Sequence, residues 1–282
     1  MSTLREKRKK EREAKRRRKT IDGTVVLILS AIAVCCGGYL VYHHWSVKQR
    51  ELEYEKMRQE ETLSAATEMV IAEPETEEST EETVIYCDPV YDFGQLREQN
   101  EDIYAWIVVP GTQVDYPLLR SGTDNYYLDY NLDHSKGYPG CIYTNQCNRK
   151  DFSDYNTVLY GHNMKNGSMF GSIHSFEDET FFDGHPYIYV YTENERLTYE
   201  IYETAKFTDV YIPSEYVVSS KDDRDQFLAD VREKVSDNKL HVREDMQIGE
   251  DDRLITLSTC VNGERNHRYL VIGVLVETAV YR

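Results

Sequence analysis

From Pro89 to the C-terminus, short runs of β-branched and aromatic residues recur between Gly-, Pro-, Asn- and Asp-containing breaks, a pattern that predicts strands. Strands are expected at 103–109, 114–119, 141–144, 156–161, 187–192, 197–210, 253–260 and 269–280, with Pro110-Gly111 turning the first into the second. Helical spacing is rare. Asp92–Arg97 reads as a short helix with Phe93 and Leu96 inward. In Asp222–Val235, Phe227, Leu228, Val231 and Val235 recur at helical intervals behind Asp222 and Asp223, which suit a helix start. Short strands at this spacing with one inserted helix favour a closed or partly closed β-barrel over a βαβ sheet.

A different pattern occupies the N-terminus. Gly23 to Tyr42 is 20 residues without a charged side chain, about what a helix needs to cross the hydrocarbon core of a bilayer. The run is long for a cleaved signal peptide, and no clear Ala-x-Ala cleavage site precedes His43, so it reads as an uncleaved anchor. Residues 46–63 mix charges in good helix formers, as a solvated stalk would. Residues 64–85 are Glu- and Thr-rich around Pro74, which predicts a disordered spacer. The expected organisation is a cytoplasmic basic segment (1–22), a transmembrane helix (23–42), an extracellular stalk and acidic linker (43–88) and one catalytic domain (89–282).

Charge sharpens this division. The net charge of −17 conceals residues 1–20 with eleven Lys/Arg against three Glu, and a remainder of 22 basic against 47 acidic residues. The basic cluster beside the span leaves the N-terminus in the cytoplasm by the positive-inside rule and meets anionic lipid. The acidic remainder argues against nucleic acid as a partner. Cys87, Cys141, Cys147 and Cys260 then lie outside, where disulfides are permitted, and nothing local selects a pairing. Neither a glycine-rich phosphate loop nor a metal-ligand cluster occurs, so no cofactor and no metal are expected.

Cys260 closes Arg253-Leu254-Ile255-Thr256-Leu257-Ser258-Thr259-Cys260, where a strand delivers a thiol to the rim of a sheet before the polar loop Val261–His267. Such a cysteine is either a small core residue or a nucleophile. A nucleophile needs a base or cationic neighbour, because a free cysteine is only a few per cent thiolate at neutral pH. Among His134, His162, His174, His185, His241 and His267, the best placed is His162. It follows the strand Asn156-Thr157-Val158-Leu159-Tyr160 and Gly161, and so reaches a rim in the same way. Arg268 opens the return strand; His267 beside it points to the opposite face.

Thr256-Leu257-Ser258-Thr259-Cys260 followed by Arg268, together with Asn156–Phe170 around Gly161-His162-Asn163-Met164, resembles a class B sortase. The resemblance extends upstream through Trp106-Ile107, Gly111-Thr112, Asp115-Tyr116-Pro117 and Asp124-Asn125-Tyr126-Tyr127-Leu128, and covers roughly 90–282. It implies a mainly β fold, a closed eight-stranded sortase-type barrel with an N-terminal helix and one helix inserted before the penultimate strands. It also implies a transpeptidase on the outer face of a Gram-positive-type membrane. In that reading Cys260 attacks the threonine carbonyl of a C-terminal sorting motif on a secreted protein, and His162 moves the protons. Arg268 stabilises the oxyanion, and a peptidoglycan cross-bridge amine or a pilin lysine accepts the acyl group. The resemblance further assigns Leu128, Ser258, Tyr211 and Ile212 to the sorting-signal pocket. Pilin polymerisation, a cysteine endopeptidase transferring to water, and a tethered non-catalytic adhesin remain alternatives. Cys87, Cys141 and Cys147 stand outside the family pattern.

Overall fold

The computed structural model describes residues 2–65, 85–234 and 241–282. The spacer expected over 64–85 falls almost wholly outside them, as does Val235. Two compact units divide the chain, Met1–Glu53 and Tyr54–Arg282. The first is helical, the N-terminal part of α1 (Ser2–Ala65). Its large apolar side chains between Val25 and Tyr42 are exposed, from Val25 at 48% to Val34 at 75%. It is one helix long and apolar enough to be a candidate single membrane span.

The second unit is a barrel. Its strands are β1 (Ile85–Cys87), β2 (Ile103–Val108), β3 (Asp115–Leu119), β4 (Ile142–Thr144), β5 (Asn156–Tyr160), β6 (Tyr187–Tyr191), β7 (Glu195–Thr208), β8 (His241–Val242), β9 (Leu254–Val261) and β10 (Glu264–Tyr281). Eight of them run β10-β9-β5-β4-β3-β2-β6-β7, and β7 pairs back onto β10, which closes the ring. The eight expected strands are these eight. The two short additions, β1 on β10 and β8 on β7, lack the length to show a period in sequence.

Alternation along the strands builds two cores. Ile255, Leu257, Tyr269 and Val271 fill the interior with Trp106, Leu118 and Tyr199. Their neighbours Leu254, Leu270, Ile272 and Val274 face outward into a second cluster with Phe207, Phe227 and Val231. Phe227 and Val231 come from helix α3 (Lys221–Lys234), the insertion the helical spacing predicts. The cap differs from expectation: the Asp223 amide donates to Ser220 Oγ at 3.3 Å, while Asp222 and Asp223 sit in the first turn, where the helix dipole favours them.

Helix α2 (Phe93–Gln99) begins as expected at Asp92, whose carboxylate accepts from the Gly94 and Gln95 amides. The expected stalk is helical but not solvated throughout. Within the second unit Tyr54 and Met57 are 4% and 2% exposed and join the interior cluster. Tyr54 packs edge-on against Tyr116 at 5.1 Å, and the Arg58 Nε donates to the Asp115 carbonyl at 2.8 Å. Two apolar side chains three apart on one helix face are enough to dock it, and too few to read as amphipathic.

Candidate active site

The β9–β10 connection sets the site. The polar stretch expected as a loop over 261–267 is instead a tight hairpin: Val261 pairs with Glu264 across Asn262-Gly263, and Gly263 has φ of +80°. Glycine at the second central position supplies the positive φ that such a turn requires there. The ladder then shifts and resumes with Arg268 directly opposite Cys260. Directly opposed residues on an antiparallel pair share a face and bring their Cβ atoms to about 5 Å. Leu254 to Thr259 are buried, whereas Cys260 is exposed and Arg268 half-buried.

On its other edge β9 runs parallel to β5, with Tyr160 paired to Ser258. The Gly161 amide donates to the Ser258 carbonyl at 3.3 Å, so the ladder continues past the end of β5. His162 and Cys260 therefore stand at equivalent positions, each two residues beyond the pair. Val158 packs in the outer cluster with Leu254 and Leu270, so by the strand period His162, Cys260 and Arg268 share that outer face. Position 161 admits only glycine, because a Cβ there would lie 2.5 Å from Ile142 and 2.8 Å from Phe170.

The imidazole of His162 is held from two sides. Its Nε2–H donates to the Leu128 carbonyl at 2.7 Å, and its ring packs at 4.8 Å against Tyr138. A carbonyl only accepts, so Nε2 carries a proton and Nδ1 is the nitrogen left to exchange one. The Arg268 guanidinium lies over its own turn, with Nη1 donating to the carbonyls of Arg265 at 3.3 Å and His267 at 3.0 Å. His267, on the opposite side as expected, pairs with Glu264 at 3.0 Å.

One row down the sheet lies an aromatic wall. Tyr143 pairs with Tyr160 across β4 and β5 and stacks on it at 5.5 Å, and Tyr211 stacks on Tyr160 at 6.2 Å. Asn145 Nδ2 donates to the Tyr211 hydroxyl at 2.8 Å, and the Cys147 Sγ is 3.9 Å from the same oxygen. Burial pushes the Tyr143 and Tyr160 hydroxyls well up. Burial, followed by the Cys147 thiol, pushes Tyr211 up to about 12, and burial raises the Cys147 thiol. The wall is thus uncharged at neutral pH. Among the described residues the buried Tyr160 hydroxyl has no hydrogen-bond partner.

Of the expected pocket residues, Leu128 is 39% exposed and supplies the carbonyl that holds His162. Tyr211 borders the wall at 37% exposure. Ser258 is buried in the row beside Tyr160, and Ile212 is buried in the outer cluster beneath Tyr211. Sequence reading missed Tyr143 and Tyr160, which the strand register brings together, Asn145, which holds the Tyr211 hydroxyl, and Asn163 and His174, which reach the Cys260 carbonyl. For Asn163 a signal existed, its place directly after His162. Cys87, Cys147 and Cys260 are free thiols. Among the described residues no group of three or more His, Cys, Asp or Glu is placed to hold a metal ion.

Residues 107–276 match the model of the sortase domain. Sortase B of Listeria monocytogenes is 34% identical over 168 residues, an alignment spanning 58% of this chain and 65% of that protein. The chain thus matches just under two thirds of that relative's length. The crystal structure of Clostridium perfringens sortase B superposes with a TM-score of 0.59 at 30% identity, covering 66% of this chain and all of that one. A Staphylococcus aureus sortase B–substrate complex superposes with a TM-score of 0.64 over 82% of this chain and 97% of that one, at 23% identity a likeness of fold. The chain belongs to the sortase family, and its relatives place it among the class B members.

Proposed function

We propose that the chain is a membrane-anchored transpeptidase that cleaves a C-terminal sorting motif of secreted proteins and joins them to a cell-wall amine. The observation that carries this reading is the register: Cys260 lies opposite Arg268 on one side and level with His162 on the other, on one face with the thiol exposed. In the first half-reaction the Cys260 sulfur attacks the threonine carbonyl carbon, and the displaced π electrons move onto oxygen beside the Arg268 guanidinium. The tetrahedral species collapses, the C–N bond breaks, and protonated His162 gives its Nδ1 proton to the departing amine. An incoming amine then attacks the thioester, His162 takes its proton back, and the C–S bond breaks.

The tyrosine wall supports a peptide-binding role, because it offers apolar faces and a buried hydroxyl that a substrate polar group would satisfy. Leu128, Tyr211, Ser258 and Ile212 border or underlie this groove and are proposed to shape it. The basic cluster preceding the apolar helix supports an N-terminus inside and the barrel outside the membrane. The test is to incubate the full chain in detergent with a panel of sorting-motif peptides and measure intact mass. At least one peptide is expected to leave an acyl adduct on Cys260 that is absent in Cys260→Ala. An adduct that persists in Cys260→Ala would refute the assignment.

A further inference from the structure

The carbonyl oxygen of Cys260 draws side chains from two other elements. Asn163 Nδ2 donates to it at 2.7 Å, and His174 Nε2 lies 3.1 Å from it. The Asn163 amide must present its nitrogen here, since its oxygen would face another oxygen. The same Nδ2 is 2.9 Å from His174 Nε2, and His174 Nδ1 is 2.8 Å from Glu177 Oε1. His174 also stacks on Tyr269 of β10 at 4.9 Å and 22°. Asn163 follows His162, whereas His174 and Glu177 lie on the 3-10 helix Gly171–Glu177. Three elements thus converge on one backbone oxygen.

The bonding works in either charge state of the ring. With Nδ1–H donating to Glu177, a neutral His174 accepts one Asn163 hydrogen at Nε2, while the other Asn163 hydrogen goes to the Cys260 carbonyl. A doubly protonated His174 donates Nε2–H to that carbonyl directly, and Asn163 keeps its own bond. In both states the Cys260 carbonyl retains a charge-supported donor network anchored on Glu177. A peptide plane is rigid, so fixing its oxygen fixes the backbone that carries the nucleophile. Because Asn163 adjoins His162, the same bond ties the acid–base residue to the nucleophile's strand.

We propose that Asn163, His174 and Glu177 are positioning residues that lock Cys260 in register with His162 for the acyl-transfer step. The proposal rests on the transpeptidase reading above. Its test uses the full chain in detergent with a peptide that acylates the unaltered protein. Asn163→Asp replaces the donor by an acceptor. His174→Phe keeps the stack on Tyr269 without the hydrogen bonds, and His174→Gln restores an amide near the Nε2 position. The expected result is a fall of at least tenfold in kcat for Asn163→Asp and His174→Phe, with KM within about twofold. Alkylation of Cys260 by iodoacetamide should stay within about twofold and Tm within a few degrees, and His174→Gln should recover most of kcat. Unchanged kcat in both variants would overturn the proposal, as would a loss that tracks Tm or alkylation rate. If the unaltered chain forms no adduct with any peptide, the transpeptidase reading falls and this proposal with it.

Discussion

With Nε2 of His162 committed to the Leu128 carbonyl at 2.7 Å, proton exchange with the reacting amine is left to Nδ1, and rotation of the ring would forfeit that bond. In the proposed mechanism the imidazole is then a proton carrier of fixed orientation rather than a general nearby base. His162→Ala should lower kcat by about 10²–10⁴, the range for losing a positioned acid–base group. The role proposed for Arg268 rests on a different geometry. Its planar fork is already half-held by the Arg265 and His267 carbonyls, and Lys cannot reproduce that geometry while presenting donors to an oxyanion. Arg268→Lys should therefore lower kcat more than tenfold with a smaller change in KM, measured by single-turnover acylation; equal kcat would remove Arg268 from the reaction. The strand ends that carry Cys260, His162 and Arg268 were legible in the sequence because each residue closes or opens a run with a recognisable motif. Tyr143 and Tyr160 were not, because what makes them a wall is a pairing between β4 and β5, and register across strands leaves no trace in a single run.

Helix α3 and strand β7 enclose a carboxylate that belongs to neither core nor site. Glu203 is fully buried, paired with Arg232 at 3.2 Å, and its Oε1 has no hydrogen-bond partner among the described residues. Burial raises its pKa from 4.5 to about 7, with Arg232 opposing. The sign follows from linkage: between about pH 4.5 and 7 the folded state binds more protons at Glu203 than the unfolded state, so stability falls as pH rises through this window and levels off above it. The span corresponds to about 3 kcal/mol at 1.36 kcal/mol per pKa unit. Glu203→Gln should flatten the Tm profile between pH 5 and 8 relative to the unaltered chain; an identical slope in both would mean that Glu203 ionises without cost. The helix itself was legible from Phe227, Leu228 and Val231. The charged residue beneath it was not, since Glu203 occupies the outward position of a strand where a polar side chain is ordinary.

At the scale of the molecule, closure of the ring by β7 on β10 decides where the chemistry sits. The long hairpin β9–β10 is gripped on both sides, by β5 and by β7, which fixes the strand ends that carry Cys260 and Arg268. Sequence patterning foresaw a barrel and its inserted helix because eight strand runs and one helical run are separated by clear breaks. It did not foresee that Tyr54 and Met57 dock on the barrel, because two apolar positions among charges carry little periodic signal. Nor did it foresee the tight Asn262-Gly263 turn, since the polar residues around it mask strand character. What distinguishes a transpeptidase from an endopeptidase is transfer of the acyl group to an amine rather than to water. The most direct measurement follows the acyl adduct on Cys260 of the full chain by intact mass as an amine nucleophile is added at rising concentration. A transpeptidase loses the adduct faster as amine rises and gives a peptide–amine product whose share grows with amine. Loss at a constant rate, with hydrolysed peptide as the product at every concentration, would contradict the transpeptidase reading and leave a cysteine endopeptidase.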